Sequence, residues 1–183
     1  MWRLAVLMAC AVMAGCGTTF NVDSVARLDS GLSALDFNDV SDQYEDRPTF
    51  VNLVERGEDG QLLSIKVDFF GKDSHLYIPV ESASDLLSFI DKYEKWQALA
   101  IQRDEQLEKT IGKTAGWGAF QLEAKFFSGS VGHHFFVVRQ CAVGCRQIED
   151  FYFDLEGAKT LRALLLDMKE GRLEPLNVDA IYQ

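Results

Sequence analysis

The chain has 183 residues, of which 28 are acidic and 18 are basic, so its formal net charge at pH 7 is −10. No run rich in lysine and arginine stands out, so a phosphate-neutralising surface is not visible, and neither nucleic acid nor an anionic lipid surface is an expected partner. The length suffices for one domain with its own core, or for two small halves that share one.

The first sixteen residues have the pattern of a secretory signal. Arg3 precedes an apolar run of about a dozen residues, too short for the roughly 20 residues that a membrane-spanning helix needs. The run ends in Met13-Ala14-Gly15-Cys16, which resembles the lipobox of bacterial lipoproteins. Met13 departs from that family, which prefers leucine at this position.

The resemblance to the lipoprotein family implies a membrane anchor. Residues 1–15 would be removed as the signal peptide, and the sulfur of Cys16 would receive a diacylglycerol. Two acyl chains already suffice for stable attachment to a bilayer. Gly17 stands where family members retained in the inner membrane often carry aspartate, so the resemblance implies the outer membrane, with the protein facing the periplasm.

Residues 16–48 are predicted to form a lipidated stalk and linker. Apolar residues recur there at steps of three and four, as on one face of a helix, although Gly31 weakens a helix by about 1 kcal/mol relative to alanine. The polar segment 38–48 then reads as a linker, and its acidic residues fit a solvated tether better than a calcium site. The apolar positions of the predicted helix are Val25, Leu28, Leu32 and Leu35.

Residues 49–183 are predicted to form an α+β domain. From Thr49 onward apolar residues alternate with period two, which predicts strands near residues 50–54, 63–69 and 76–80. Short connections make these strands an antiparallel meander. A helix capped by Ser82 or Ser84 follows. No glycine or proline intervenes before Gly112, so the pattern allows the helix to extend through Leu107 and equally allows it to unwind over residues 96–101.

The second half of the domain resembles the first in its order of elements. Strands are predicted near residues 120–126, 135–138 and 148–155, followed by a helix over 157–169. The glycines of segment 110–118 predict a break between the halves, which we place at 49–111 and 117–173. Two β-β-β-α halves suggest an internal duplication. The layout is loosely similar to the Pur-alpha and Whirly folds, although none of their motifs is present.

Cys141 and Cys145 flank a predicted three-residue hairpin loop, a spacing that suits a disulfide in an oxidising periplasm. A redox or metal-binding pair is the alternative. The redox motif of thioredoxins, however, has two residues between its cysteines at the start of a helix. His133 and His134 lie at the far end of the preceding strand, about 23 Å away at about 3.3 Å per residue, so they are poorly placed as further zinc ligands.

The sequence predicts no catalytic residue, no metal site and no cofactor. None of its three histidines stands beside a serine or cysteine in a recognisable nucleophile motif. Aromatic residues are more suggestive, because several fall on the strand positions opposite the core, where an apolar face must be covered by a helix, a partner or a ligand. These candidate binding-surface residues are Phe70, Tyr77, Phe127, Phe136 and Tyr152.

The sequence therefore favours a lipid-anchored lipoprotein on the periplasmic face of the outer membrane, which binds an envelope protein or assists envelope assembly. The alternative is a periplasmic hydrolase or small-ligand-binding lipoprotein with a pocket around His133, His134 and Trp117. A solvent-open cavity beside those histidines, with a carboxylate in reach, would favour the alternative.

Overall fold

The structure, a computed structural model, describes residues 22–129, 132–142 and 148–177. Within these residues the chain forms ten strands in two antiparallel sheets, together with two α-helices. The predicted α+β class with antiparallel sheets is confirmed.

The smaller sheet has four strands, β1 Ser24–Leu28, β4 Thr49–Glu55, β5 Gln61–Phe69 and β6 Lys72–Pro79. They lie in the order β1-β4-β5-β6. The strongest sequence signal lies in β5, where Leu63, Ile65 and Val67 alternate with polar residues and are fully buried. Short 3-10 turns at Gly57–Asp59 and Val80–Ser82 lie before β5 and after β6.

The larger sheet has six strands, β2 Ala34–Asn38, β3 Gln43–Arg47, β7 Leu107–Ala115, β8 Gln121–Ser128, β9 His134–Cys141 and β10 Ile148–Phe153. They lie in the order β3-β2-β10-β9-β8-β7. The run β7 to β10 is a meander of consecutive strands, and the β2–β3 hairpin extends it beyond β10.

The two helices pack against each other and against the larger sheet. Helix α1 spans Ala83–Arg103 and lies against β7, β8 and β9, whereas α2 spans Leu155–Lys169 and lies against β9 and β10. Asp154 caps α2, because its carboxylate accepts a hydrogen bond from the N–H of Gly157 at 2.7 Å. Helix α1 ends before the predicted limit at Leu107, since Asp104 takes a left-handed conformation with φ 49°.

A single buried cluster joins both sheets and both helices. Tyr93 of α1 lies at its centre: its ring contacts Phe126 and Phe136, and its hydroxyl donates to the carbonyl of His134 at 3.0 Å. Burial raises the pKa of Tyr93 well above its ordinary value. Because the core is shared, each sheet relies on the other half of the chain to cover its apolar face.

The predicted stalk helix is wrong. Residues 24–47 form three strands: β1 pairs with β4 over five residues, while β2 and β3 pair with each other at the edge of the larger sheet. Gly31 takes a positive φ of 60°, which turns the chain between β1 and β2. Leu28 and Leu32 are both buried, but they enter the core from β1 and from the loop after it, rather than from one face of a helix.

The predicted break over 110–118 is also wrong, since most of it belongs to β7. This strand carries a bulge between Thr110 and Gly112. A methyl group at Gly112 would overlap the ring of Phe89 from α1. Glycine here leaves room for the Phe89 ring where helix and strand approach closely, rather than reversing the chain.

Candidate functional site

The free edge of β6 is the starting point of the site. The β5–β6 hairpin closes through a two-residue turn in which Phe70 and Gly71 both have positive φ values. Residues next to such a turn exchange backbone hydrogen bonds across the hairpin, as does every second residue after them. Asp73, His75 and Tyr77 therefore direct their backbone N–H and C=O groups away from β5, toward the larger sheet.

Gln140 of β9 bonds to part of this edge. Its Oε1 accepts from the N–H of Tyr77 at 2.9 Å, and its Nε2 donates to the carbonyl of His75 at 2.9 Å. The side chain is only 6% exposed. The amide thus makes both hydrogen bonds that a residue of a neighbouring parallel strand would make, and it fixes the two sheets relative to each other.

A cleft of about 380 Å³ opens beside this contact. Glu149 of β10, opposite Gln140, reaches across it and accepts hydrogen bonds from Ser74 Oγ at 3.2 Å and Lys72 Nζ at 3.3 Å. A second cleft of about 260 Å³ continues along β6, sharing Lys72, Ser74 and Glu149 and adding Asp36, Phe69 and Asp150. The first cleft is lined by Lys72, Asp73, Ser74, His75, Tyr77, Phe120, Gln140 and Glu149. The two together are termed the β6 cleft.

Aromatic rings form one wall of the β6 cleft. The His75 and Tyr77 rings stack with centroids 5.7 Å apart, and the Trp117 ring lies 5.0 Å from that of Tyr77. Burial, with a smaller contribution from Glu149, raises the pKa of Tyr77. His75 Nδ1 is buried without a hydrogen-bond partner among the described residues. The wall therefore presents apolar ring surface to the cleft, and the buried His75 Nδ1 adds no exposed polar group to it.

A second aromatic group, the outer aromatic cluster, covers the opposite face of the larger sheet. Phe127, Phe135 and Tyr152 project from β8, β9 and β10 and contact one another there. Tyr44 of the β2–β3 hairpin lies over them, with its ring centroid 4.4 Å from Phe135 and 5.6 Å from Tyr152. Burial is the main cause that raises the pKa of Tyr152 to about 12. The chain's own hairpin thus covers part of the face predicted to need a cover.

The five aromatic residues predicted as one binding surface do not lie together. Phe127 and Tyr152 belong to the outer aromatic cluster, whereas Tyr77 lines the β6 cleft. Phe70 lies in the β5–β6 turn with the guanidinium of Arg47 3.7 Å from its ring centroid. Phe136 was assigned to the wrong face: it is fully buried against Tyr93. Residues 135–138 are apolar on both faces, so the pattern alone does not distinguish them.

His134 lies beside another cavity, of about 340 Å³, whose lining includes Asp104 and Glu105. Ser128 Oγ donates to the carbonyl of Glu105 at 2.6 Å, so the 3.0 Å contact between His134 Nδ1 and that hydroxyl uses the histidine as donor. Burial, together with the nearby His133, lowers the pKa of His134. Activation of a serine nucleophile needs the opposite direction, with the hydroxyl donating to the imidazole.

The three residues of the alternative pocket are divided between two places. His134 begins β9 opposite Ser128, and His133 contacts Tyr44 of the outer aromatic cluster. Trp117 precedes β8, whose first residue pairs with Cys141 at the other end of β9. A cavity with carboxylates therefore accompanies His134, whereas Trp117 contacts Tyr77 beside the β6 cleft.

Cys141 ends β9 and is almost completely buried. Cys145 and Cys16 lie outside the described residues. The disulfide and the acylated cysteine accordingly stay predictions.

Apart from Tyr77, sequence reasoning did not identify the residues that build the β6 cleft. Gln140 and Glu149 carried a usable signal, since each is a polar residue on the inward-facing side of a strand that is otherwise apolar there. The residues that they contact could not be predicted from the sequence: Tyr77, for example, is 63 positions from Gln140.

Comparison of the sequence with protein-family models and with curated proteins gave no match. Across residues 22–129, 132–142 and 148–177, no helix is long and apolar enough to cross a membrane. In the same segments, no three or more histidine, cysteine, aspartate or glutamate side chains are grouped so as to hold a metal ion.

Proposed function

We propose that the protein is a lipoprotein anchored through Cys16 to the periplasmic face of the outer membrane, where it binds an envelope protein or assists envelope assembly. The signal-like segment, with Cys16 after three small or apolar residues, supports the anchor. The compact α+β domain of residues 24–173 would then stand at the membrane surface with its clefts open to the periplasm.

The observation that supports a binding role is the β6 cleft. In this cleft, a strand edge with unpaired backbone groups lies between polar side chains that already have hydrogen-bond partners. Glu149, for example, accepts hydrogen bonds from Ser74 and Lys72. Such a site suits recognition of a polypeptide, because backbone groups provide affinity and the neighbouring side chains provide selectivity.

The anchor is tested by replacing the cysteine. Only a thiol accepts the diacylglycerol, so Cys16→Ala should abolish incorporation of labelled palmitate and leave the precursor unprocessed. The matched control is Cys10→Ala, which should be labelled and processed as the wild type is. Palmitate incorporation in the Cys16→Ala variant would contradict the proposed anchor.

The binding role is tested by crosslinking in native membranes followed by affinity purification. A protein partner should co-purify at a reproducible stoichiometry with the wild type. Recovery of the uncrosslinked protein alone, across crosslinkers of different reach, would contradict the proposal.

A hydrolase or small-ligand-binding role is the second candidate, favoured by the cavity that His134 shares with Asp104 and Glu105. Replacing His75, His133 and His134 together by asparagine distinguishes the two roles. Under the binding proposal the variant keeps its partner and its biological activity. Loss of activity in a triple variant that melts like the wild type would favour the second candidate.

We also infer that the two halves of the domain arose by duplication. The orders β1-β4-β5-β6 and β7-β8-β9-β10 are both antiparallel meanders in space, and each is followed in the chain by a helix. The β2–β3 hairpin is then an insertion after the first strand of the first half. This correspondence supports four-stranded repeats rather than the three-stranded ones expected from the sequence.

A further inference from the structure

The edge of β6 retains an unused pair of backbone groups. Gln140 bonds to the N–H of Tyr77 and the carbonyl of His75. One step back along the strand, the N–H of His75 and the carbonyl of Asp73 point in the same direction and have no partner in the described structure. They are spaced to receive one more peptide unit beside the Gln140 amide.

The room beside these groups fits an extended segment. The clefts of about 380 and 260 Å³ share Lys72, Ser74 and Glu149, so they adjoin where Glu149 bonds to Lys72 and Ser74, and together they make a groove along β6. A groove of this size holds a few residues of a polypeptide rather than the surface of a folded domain.

The charge of the groove selects its occupant. Among the described residues, four carboxylates line it, those of Asp36, Asp73, Glu149 and Asp150, against one amine, that of Lys72. From outside the groove, Lys66 pairs with Asp73 at 2.7 Å and Arg139 pairs with Asp150 at 2.6 Å. Lys72 pairs with Glu149 at 3.3 Å, and Asp36 forms no ion pair with any described residue, so the groove favours an added cation.

We propose that the β6 cleft binds an extended cationic segment of a partner protein, which pairs with the backbone of Asp73 and His75 and places a lysine or arginine side chain near Glu149 and Asp36. A second copy of this chain is a poor occupant, because its net charge is −10 and the groove is acidic. The inference rests on the proposed binding function and names the partner's chemistry and the surface that it occupies.

The test uses the full-length protein and two acetylated, amidated octapeptide probes, one alternating threonine with lysine and the other alternating threonine with glutamate. Fluorescence anisotropy measures binding, and hydrogen exchange read by mass spectrometry locates it. The lysine probe should bind about tenfold more tightly than the glutamate probe and should slow exchange in residues 72–77. Equal affinities, or binding without protection of residues 72–77, would overturn the inference.

Variants separate the two contributions to binding. Glu149→Arg should reverse the preference between the probes, while Glu156→Gln on the exposed start of α2 should change nothing. His75→Pro removes the outward N–H from an edge strand, so binding should be lost while the melting temperature is kept. If His75→Pro does not fold, the Glu149→Arg variant decides. If that variant does not reverse the preference between the lysine and glutamate probes, the inference is overturned.

The outcomes for the two proposals are distinguishable. A partner captured in native membranes, together with an unprotected β6 cleft, would leave the binding function standing and overturn the inference. Protection of residues 72–77 that rises with protein concentration in the absence of probe would identify a second copy as the occupant, and would also overturn it.

Discussion

Gln140 joins the two sheets through the backbone of β6, and its environment explains why a polar residue occupies the inner face of β9. The neighbouring inward positions, Phe136 and Val138, are fully buried and apolar. A buried amide in such a place is tolerated because its donor and acceptor are both satisfied. Gln140 occupies one outward-facing pair of backbone groups on β6 and leaves the next pair open. It therefore supports the β6 cleft and also limits the length of β6 that a bound segment can pair with.

Replacement of Gln140 should therefore destabilise the fold. Gln140→Leu leaves the Tyr77 N–H and the His75 carbonyl without their partners, which should lower the free energy of unfolding by about 2 kcal/mol or more. Urea denaturation measures the change. The matched control is Gln121→Leu on the exposed side of β8, for which a loss comparable to that of Gln140→Leu would contradict this interpretation.

His134 makes stability depend on pH in a defined direction. Its pKa is lowered in the folded state, chiefly by burial, so the unfolded chain binds the proton more tightly. The free energy of unfolding should be at its full value above the ordinary histidine pKa of about 6.5 and should fall as the pH drops through and below it. His134→Asn should flatten this part of the curve, and an unchanged slope would show that another group is responsible.

Sequence periodicity predicted those strands and helices whose positions depend on local contacts. The alternation in β5 and the cores of α1 and α2 were predictable, because each buries one face at a regular period. Residues 24–47 were not, since their strands are defined by partners elsewhere in the chain, such as Val51 opposite Leu28. The β6 cleft was hidden for the same reason: it depends on how two sheets meet, which no local period encodes.

The β2–β3 hairpin depends on side chains more than on backbone pairing. A single registered pair, Leu35 with Tyr152, connects it to β10. Tyr44, in contrast, contacts two rings of the outer aromatic cluster, Phe135 and Tyr152, and also contacts His133. Tyr44→Ala should therefore speed amide exchange across residues 34–47 and leave β4 to β6 unchanged. Val40→Ala at the exposed turn is the control, and equal exchange in both variants would contradict the assigned role of Tyr44.

The bulge in β7 should be sensitive to volume. Gly112→Ala should lower the free energy of unfolding by about 1–3 kcal/mol, because the new methyl group overlaps the Phe89 ring. Thermal or urea unfolding measures the loss. In a Phe89→Leu background the same substitution should cost less, since the two sites share the contact. If the two substitutions lower the free energy of unfolding additively, the cause lies in the backbone of the bulge instead.

In the whole molecule, the shared core and the acidic net charge determine where the two sheets can bind a partner and which partners they attract. The β6 cleft exists only where the two sheets meet, so neither half of the chain holds it alone. A net charge of −10 adds a long-range attraction for basic segments, which steers association and weakens as salt is added. An anchor on Cys16 would confine such recognition to the membrane surface.

The most direct test of binding at the β6 cleft is site-specific photocrosslinking in native membranes, with benzoylphenylalanine placed at Phe120 in the β6 cleft or at Leu166 on the exposed side of α2. If a partner occupies the β6 cleft, a discrete adduct with one partner protein should form from the Phe120 position and none from Leu166. The adduct should disappear when Glu149→Arg is added. An adduct from Leu166 with none from Phe120 would contradict this binding mode, because the partner would then occupy a surface away from the β6 edge.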